Sequence, residues 1–231
     1  SASRCRADSG SRSAIDTAGA GSGNAGGPRA AHDTRPLGPL PPPGDDPRVR
    51  IVQLSDLHLT AAVGATTRGC DVWRNLDRVL AALPQLEPIG LLVLTGDLVC
   101  QRRIAAYRQL RLRLAAFANR LAVLPGNHDS RRLLRAAFGD LLLPGRRTAN
   151  FERTIGGFRL FGLDSVRRPF VHGRFGAEQL AWLGARLQPA GAPVLLFLHH
   201  PPLRIGCWWL DKDLPRDRRH LGEMLRGGNV R

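Results

Sequence analysis

Four short polar turns, each directly after an apolar run, hold most of the side chains in this sequence that could do chemistry. They are Ser55-Asp56-Leu57-His58, Thr95-Gly96-Asp97, Gly126-Asn127-His128-Asp129 and His199-His200-Pro201-Pro202. Oxygen and imidazole donors set at strand ends are what a two-metal hydrolytic site needs. Taken singly, Asp56-Leu57-His58 and Gly96-Asp97 are ordinary cap or turn chemistry. Gly126-Asn127-His128-Asp129 is more specific, because a run of turn-compatible residues at the end of an apolar strand bends the backbone and aims side chains into a cleft. His199 and His200 follow five apolar residues. Burying an imidazole without a partner is costly, which favours a ligand role. Polar groups gathered in one cleft are a functional signature, so the four turns are read as one site.

The elements that must position these turns alternate in type. Apolar runs at 49–54, 91–94, 121–124, 158–161 and 194–198 read as strands. The runs at 91–94 and 121–124 are continuous, as in strands buried on both faces. Asp71 is placed to cap a helix whose apolar positions Leu76, Val79, Leu80 and Leu83 follow a 3.6-residue period, and Pro84 stops it. Further helices are expected over 102–119, from a Ser130 cap through Phe138, and over 177–187. Alternating strands and helices predict an α/β layered sheet. In such sheets ligands collect beyond the carboxyl ends of the strands, which is where every donor turn falls.

Composition narrows the class. Residues 1–47 are rich in Gly, Ser, Ala and Pro and carry five Arg and five Asp, so the whole net charge of +15 belongs to residues 48–231. The first segment cannot bury enough apolar surface to offset its ordering entropy and is expected to be a disordered tail. No stretch of about 18 apolar residues occurs, so a membrane span is not expected, nor is a secretory signal. Cys5, Cys70, Cys100 and Cys207 are scattered without a Cys-x-x-Cys and read as reduced thiols of a cytoplasmic protein. The basic excess is 33 arginines and the single lysine Lys212. They lack regular aromatic interleaving, which predicts a solvated surface that attracts anionic substrates; nucleic acid is not expected as a partner. The chain opens on Ser1 rather than Met, as expected of a fragment, a processed chain or a misassigned start.

The four turns resemble the pattern of the calcineurin-like metallophosphoesterases: D-x-H, G-D, G-N-H-D/E, H and G-H-x-H. The successive separations of 41, 30 and 72 residues from Asp56 to Asp97, Asn127 and His199 fit it. Within the family, residues 163–165, 173–183, 199–202 and 206–211 look most similar to the bacterial 3′,5′-cyclic nucleotide phosphodiesterases. The resemblance implies a β-sheet sandwich flanked by helices over 48–231 and two divalent metal ions, Fe, Mn or Zn. Asp56 and His58 would bind the first ion, Asp97 would bridge both, and Asn127 and His199 would bind the second. His58, Asn127 and His128 would meet the substrate, with His128 assisting the leaving group. Asp129 would orient His128 or hold the turn, and His200 would support the ligands from behind. The implied reaction is hydrolysis of cyclic AMP to 5′-AMP by a metal-activated hydroxide. The partner is a small cyclic nucleotide or phosphodiester, and an oligomer is allowed.

Two departures qualify this. No Gly-His-x-His follows Arg231, so the chain is expected to be truncated before that motif, without its last strands and one ligand per ion, and weakened or inactive. Residues 213–219 replace a Leu-x-Asn stretch near the substrate. The alternatives are a related pyrophosphatase or monoesterase, or an inactive remnant that binds anions or nucleic acid.

Overall fold

The computed structural model describes residues 50–145, 147–187 and 191–226; the expected tail at 1–47 lies outside these. In chain order the elements are β1 (Arg50–Leu54), β2 (Thr66–Thr67), β3 (Cys70–Asp71), α1 (Val72–Ala82), β4 (Ile89–Thr95), α2 (Ile104–Arg113), β5 (Leu121–Leu124) and α3 (Arg131–Phe138). Then come β6 (Phe151–Ile155), β7 (Phe158–Leu163), α4 (Ala177–Leu187), β8 (Val194–Leu198), α5 (Trp208–Asp211) and α6 (Arg218–Arg226).

Two three-stranded sheets carry the fold. One is parallel, in the order β1-β4-β5; the other has the order β6-β7-β8, with β7 antiparallel to β6 and parallel to β8. Because side chains alternate across a strand, the apolar run of β4 serves two cores at once. Leu91 and Val93 pack with Ala122, Leu124, Phe151, Leu160 and Phe197, which come from both sheets and form the layer between them. Leu92 and Leu94 face the opposite way, onto Trp73, Leu110, Leu134 and Phe138 of the helices α1, α2 and α3. On the outer side of the second sheet, Phe161 and Leu163 meet Leu180 and Leu183 of α4 and Leu221 of α6. The result is the expected sandwich of two sheets flanked by helices. Each fully buried Leu is stabilising by about 1.5–3 kcal/mol, which is why the run Leu91–Leu94 holds no polar residue before Thr95.

Several expectations held. Asp71 caps α1 by accepting from the Arg74 amide, and Ser130 caps α3. α4 covers the expected range. The helix expected over 102–119 instead ends at Arg113 and continues as a 3-10 segment, Ala115–Arg120. The tighter turn returns the chain to the sheet at Leu121, where β5 must pair with β4. β6 was not expected, since Phe-Glu-Arg-Thr-Ile is half polar. Its signal is Gly156-Gly157, both at positive φ (55° and 77°), the requirement of a two-residue hairpin. Cys70 and Cys207 are free thiols. Among the described residues no helix is long and apolar enough to cross a membrane.

Strand β1 is one edge of the first sheet and β8 one edge of the second. Between them opens a cavity of about 630 Å³, lined by Ile51, Leu195, Phe197, Pro201 and Leu225 and reaching His199.

Candidate metal centre

The parallel sheet brings three donor turns to one end, and the second sheet delivers the fourth. Asp56 donates its amide to the Gly96 carbonyl at 3.0 Å, and His58 donates to the Asp97 carbonyl at 2.9 Å. The first two turns are thus laced together by backbone. The lacing holds Asp56, His58 and Asp97 in the left-handed region, at φ of 56°, 44° and 51°. Non-glycine residues occupy that region at a cost, and such strain concentrates at functional sites.

Two glycines allow the ends of β4, β5 and β8 to close on one another. A Cβ on Gly96 would lie 2.6 Å from His199 Nδ1 and 2.7 Å from the Gly126 amide nitrogen. One on Gly126 would lie 2.2 Å from Asp97 Oδ1 and 2.8 Å from His199 Cε1. No residue with a side chain fits at either place.

The five expected ligand residues converge around Asp97, which is buried. Its Oδ2 lies 3.7 Å from His58 Nε2, whose other carboxylate neighbour is Asp56 Oδ1 at 3.8 Å. Its Oδ1 lies 3.4 Å from His199 Nε2, which faces Asn127 Oδ1 at 3.2 Å. The two oxygens of one carboxylate therefore look into two donor groups. Among the described residues two such groups have ligand atoms within 4.8 Å of one another: His58, Asp97 and His128, and Asp56, Asp97 and His199. His128, expected to serve the substrate rather than an ion, falls in the first. Its Nε2 is 3.9 Å from Asp97 Oδ2, and its ring stands edge-on to that of His58, with centroids 4.9 Å apart.

The donor chemistry fits cations. His199 Nδ1 is 2.9 Å from the Thr95 carbonyl, an acceptor only, so in the neutral ring the proton sits on Nδ1. That leaves the Nε2 lone pair facing two oxygens, Asn127 Oδ1 and Asp97 Oδ1, with no proton between them. Three acceptors turned on one point are repulsive unless a cation lies among them. Among the described residues His58 likewise has a buried Nδ1 without a partner. Burial lowers the His58 pKa, with the nearby His128 adding to the effect against the opposing Asp97 charge, so the ring is held as a neutral donor.

Asp129 and His200 support the donors from behind. The Asp129 carboxylate accepts from the amides of Leu98, Val99 and Gly126, and from the Tyr107 hydroxyl at 2.9 Å. These bonds tie the Gly96-Asp97 turn to the Gly126-Asn127 turn. Of the two roles considered for Asp129, they correspond to holding the turn. Burial pushes its pKa up to about 6. His200 is buried and bonded through Nδ1 to Ser165 Oγ at 2.7 Å and through Nε2 to the Val171 carbonyl at 2.8 Å. Burial, then the adjacent His199, lowers its pKa to about 4.

Four residues of this neighbourhood carried no sequence signal. Tyr107 looked like one apolar position of α2, yet its hydroxyl donates to Asp129 and accepts from the Ser130 amide. Arg131 pairs with buried Asp164, which also accepts from the Ala149 amide. Arg102 and Arg168 donate to carbonyls of the 127–129 turn. Nothing local marks these four among the other arginines and apolar positions. Trp182 is buried in the core, and Trp208 is 80% exposed.

Comparison with known proteins identifies the family. The family model described as calcineurin-like phosphoesterase matches residues 49–228. The 3′,5′-cyclic adenosine monophosphate phosphodiesterase CpdA of Escherichia coli K12 is 35% identical over 189 residues, which is 80% of this chain and 66% of that protein. A cAMP/cGMP dual specificity phosphodiesterase of Mycobacterium tuberculosis is 35% identical over 192 residues, covering 78% of this chain and 58% of the relative. The chain thus spans about two thirds or less of the length of these relatives. Among solved structures, the purple acid phosphatase PPD1 of yellow lupin seeds superposes with a TM-score of 0.50 over 72% of this chain and 33% of that one. At 14% identity this is a likeness of fold.

Proposed function

The chain belongs to the calcineurin-like phosphoesterase family, and from that premise we infer that it hydrolyses a phosphodiester, with 3′,5′-cyclic AMP as substrate and 5′-AMP as product. Asp56, His58, Asp97, Asn127 and His199 are the residues to hold two divalent cations, with Asp97 shared. Mixed carboxylate, amide and imidazole donors suit Fe, Mn or Zn. Such a pair supplies Lewis acidity towards the phosphoryl oxygens and makes a strong nucleophile of water at neutral pH.

The remaining work falls to the chain. His128 sits half-buried beside His58, its amide fixed on Asp97 Oδ1 at 2.9 Å. Its ring would protonate the leaving 3′ oxygen. Water adds its oxygen to phosphorus, the P–O3′ bond breaks, and the proton delivered to O3′ completes 5′-AMP. Asp129 and Tyr107 keep the turn that carries Asn127 and His128 in register with Asp97. His200, spent on Ser165 and Val171, keeps its neighbour His199 in place.

The observation that supports this reading is the position of Asp97 in both donor groups: Oδ2 lies 3.7 Å from His58 Nε2, and Oδ1 lies 3.4 Å from His199 Nε2, which faces Asn127 Oδ1. The choice of a cyclic nucleotide is supported by relatives whose names specify that activity. The test is turnover of cyclic AMP with added Mn²⁺, beside mono- and bis-p-nitrophenyl phosphate and an Asp97→Ala control. Metal-dependent formation of 5′-AMP, lost in the control, is expected. Turnover indifferent to Asp97→Ala would sink the site, and hydrolysis of the monoester alone would replace the phosphodiesterase with a monoesterase.

A further inference from the structure

Two arginines crowd onto the turn that carries Asn127 and His128, and among the described residues neither forms an ion pair. Arg102 donates from Nε to the His128 carbonyl at 3.0 Å and from Nη2 to the Asn127 carbonyl at 3.3 Å. Arg168 reaches the next carbonyl, that of Asp129. Three consecutive carbonyls thus seat two guanidinium groups. Arg131 comes close as well, but its fork is occupied by Asp164 and the Val166 carbonyl.

Among the described residues neither Arg102 nor Arg168 takes part in an ion pair, although most other ion pairs of the molecule do engage an arginine. Carbonyl dipoles orient a guanidinium without cancelling its charge. Partial burial, followed by repulsion from Arg102 and Arg131, holds Arg168 below the usual arginine range. Both residues are exposed, and among the described residues each keeps N–H donors without an acceptor: Nη1 of Arg102, and Nε with Nη1 of Arg168. Planar forks with spare donors and no carboxylate match a phosphate, whose several oxygens can accept from both.

We propose that Arg102 and Arg168 form an anion subsite beside the candidate metal centre, which takes a phosphate group. The subsite itself stands on the arginine geometry; its use by a phosphoester substrate rests on the phosphodiesterase reading above.

The test separates the two. Inorganic pyrophosphate is titrated calorimetrically into the full chain in excess chelator, so that binding through metal ions is removed. Saturable binding is expected, weakened about tenfold, a difference of about 1.4 kcal/mol, by Arg168→Gln and by Arg102→Gln. Arg168→Lys, which keeps the charge and loses the fork, should fall between. Arg108→Gln, which removes the same charge from the exposed side of α2, should stay within about twofold of the parent. Melting temperatures are read on the same samples, and because Arg168 has a single carbonyl contact its variants should melt with the parent. Non-saturating binding, no weakening in the Arg168 variants, or equal weakening in Arg108→Gln would overturn the subsite. Intact pyrophosphate binding in a chain that turns over no cyclic AMP would overturn the phosphodiesterase reading and leave the subsite standing.

Discussion

Gly126→Ala tests whether the donor set depends on how closely the ends of β4 and β5 approach. The added Cβ would lie 2.2 Å from Asp97 Oδ1, 2.3 Å from the Asp97 backbone nitrogen and 2.8 Å from His199 Cε1. A carboxylate could rotate away, but a backbone nitrogen cannot. Asp97 is fixed at φ 51° and bonded through its carbonyl to the His58 amide. The strand ends must therefore separate. Overpacking of this kind costs about 1–3 kcal/mol, which in a domain of roughly 150–250 residues lowers the Tm by about 2–12 °C. The same displacement moves Asp97 away from Asn127 and His199, so Mn²⁺ affinity by titration calorimetry should fall about tenfold or more. Gly139→Ala is the matched control. Gly139 has φ −60° and ψ −29°, and a Cβ there meets nothing within 4 Å. It should leave Mn²⁺ affinity unchanged and stabilise by about 0.4–1 kcal/mol through the unfolded chain. Parental affinity and Tm in Gly126→Ala would refute the close approach on which the centre is built.

Other outcomes follow from the same contacts. Tyr107→Phe removes the hydroxyl between Asp129 and the Ser130 amide; losing a bond to a charged group should cost about 1.5–3 kcal/mol, read as a lower urea midpoint, and an unchanged midpoint would remove the turn-holding role. Arg131→Met leaves the fully buried Asp164 side chain without its cation and should destabilise by about 3–5 kcal/mol; a parental unfolding free energy would contradict the pair. Mn²⁺ at about 100 times its Kd should stabilise the chain by about 2.7 kcal/mol, a rise of roughly 5–11 °C in Tm that chelator reverses and Asp97→Asn abolishes. An equal rise in Asp97→Asn would place the ion elsewhere.

What the sequence determined by itself was the identity and order of the donors. Apolar runs that end abruptly on Asp56, Asp97, Asn127 and His199 announce both a buried strand and the point where it leaves the core, because an uninterrupted apolar stretch is stable only between two packed layers. Local cues also set the Asp71 and Ser130 caps and the span of α4. The sequence was less informative where an element depends on its neighbours. β6 is half polar and exists through its pairing with β7, and the helix after Ile104 tightens at Leu114 because β5 must reach β4.

Only the tertiary structure decided which atom of each donor meets which. His199 is fixed by a carbonyl 104 residues away, and Asp129 spends its charge on the amides of Leu98 and Val99, about 30 residues earlier. It also decided that Arg102 and Arg168, unmarked among 33 arginines, stand together on one turn. The physical reason is the same throughout. Periodicity and turn chemistry act between near neighbours, whereas the direction of a lone pair and the pairing of a charge are set by residues that meet only after the sheets have packed.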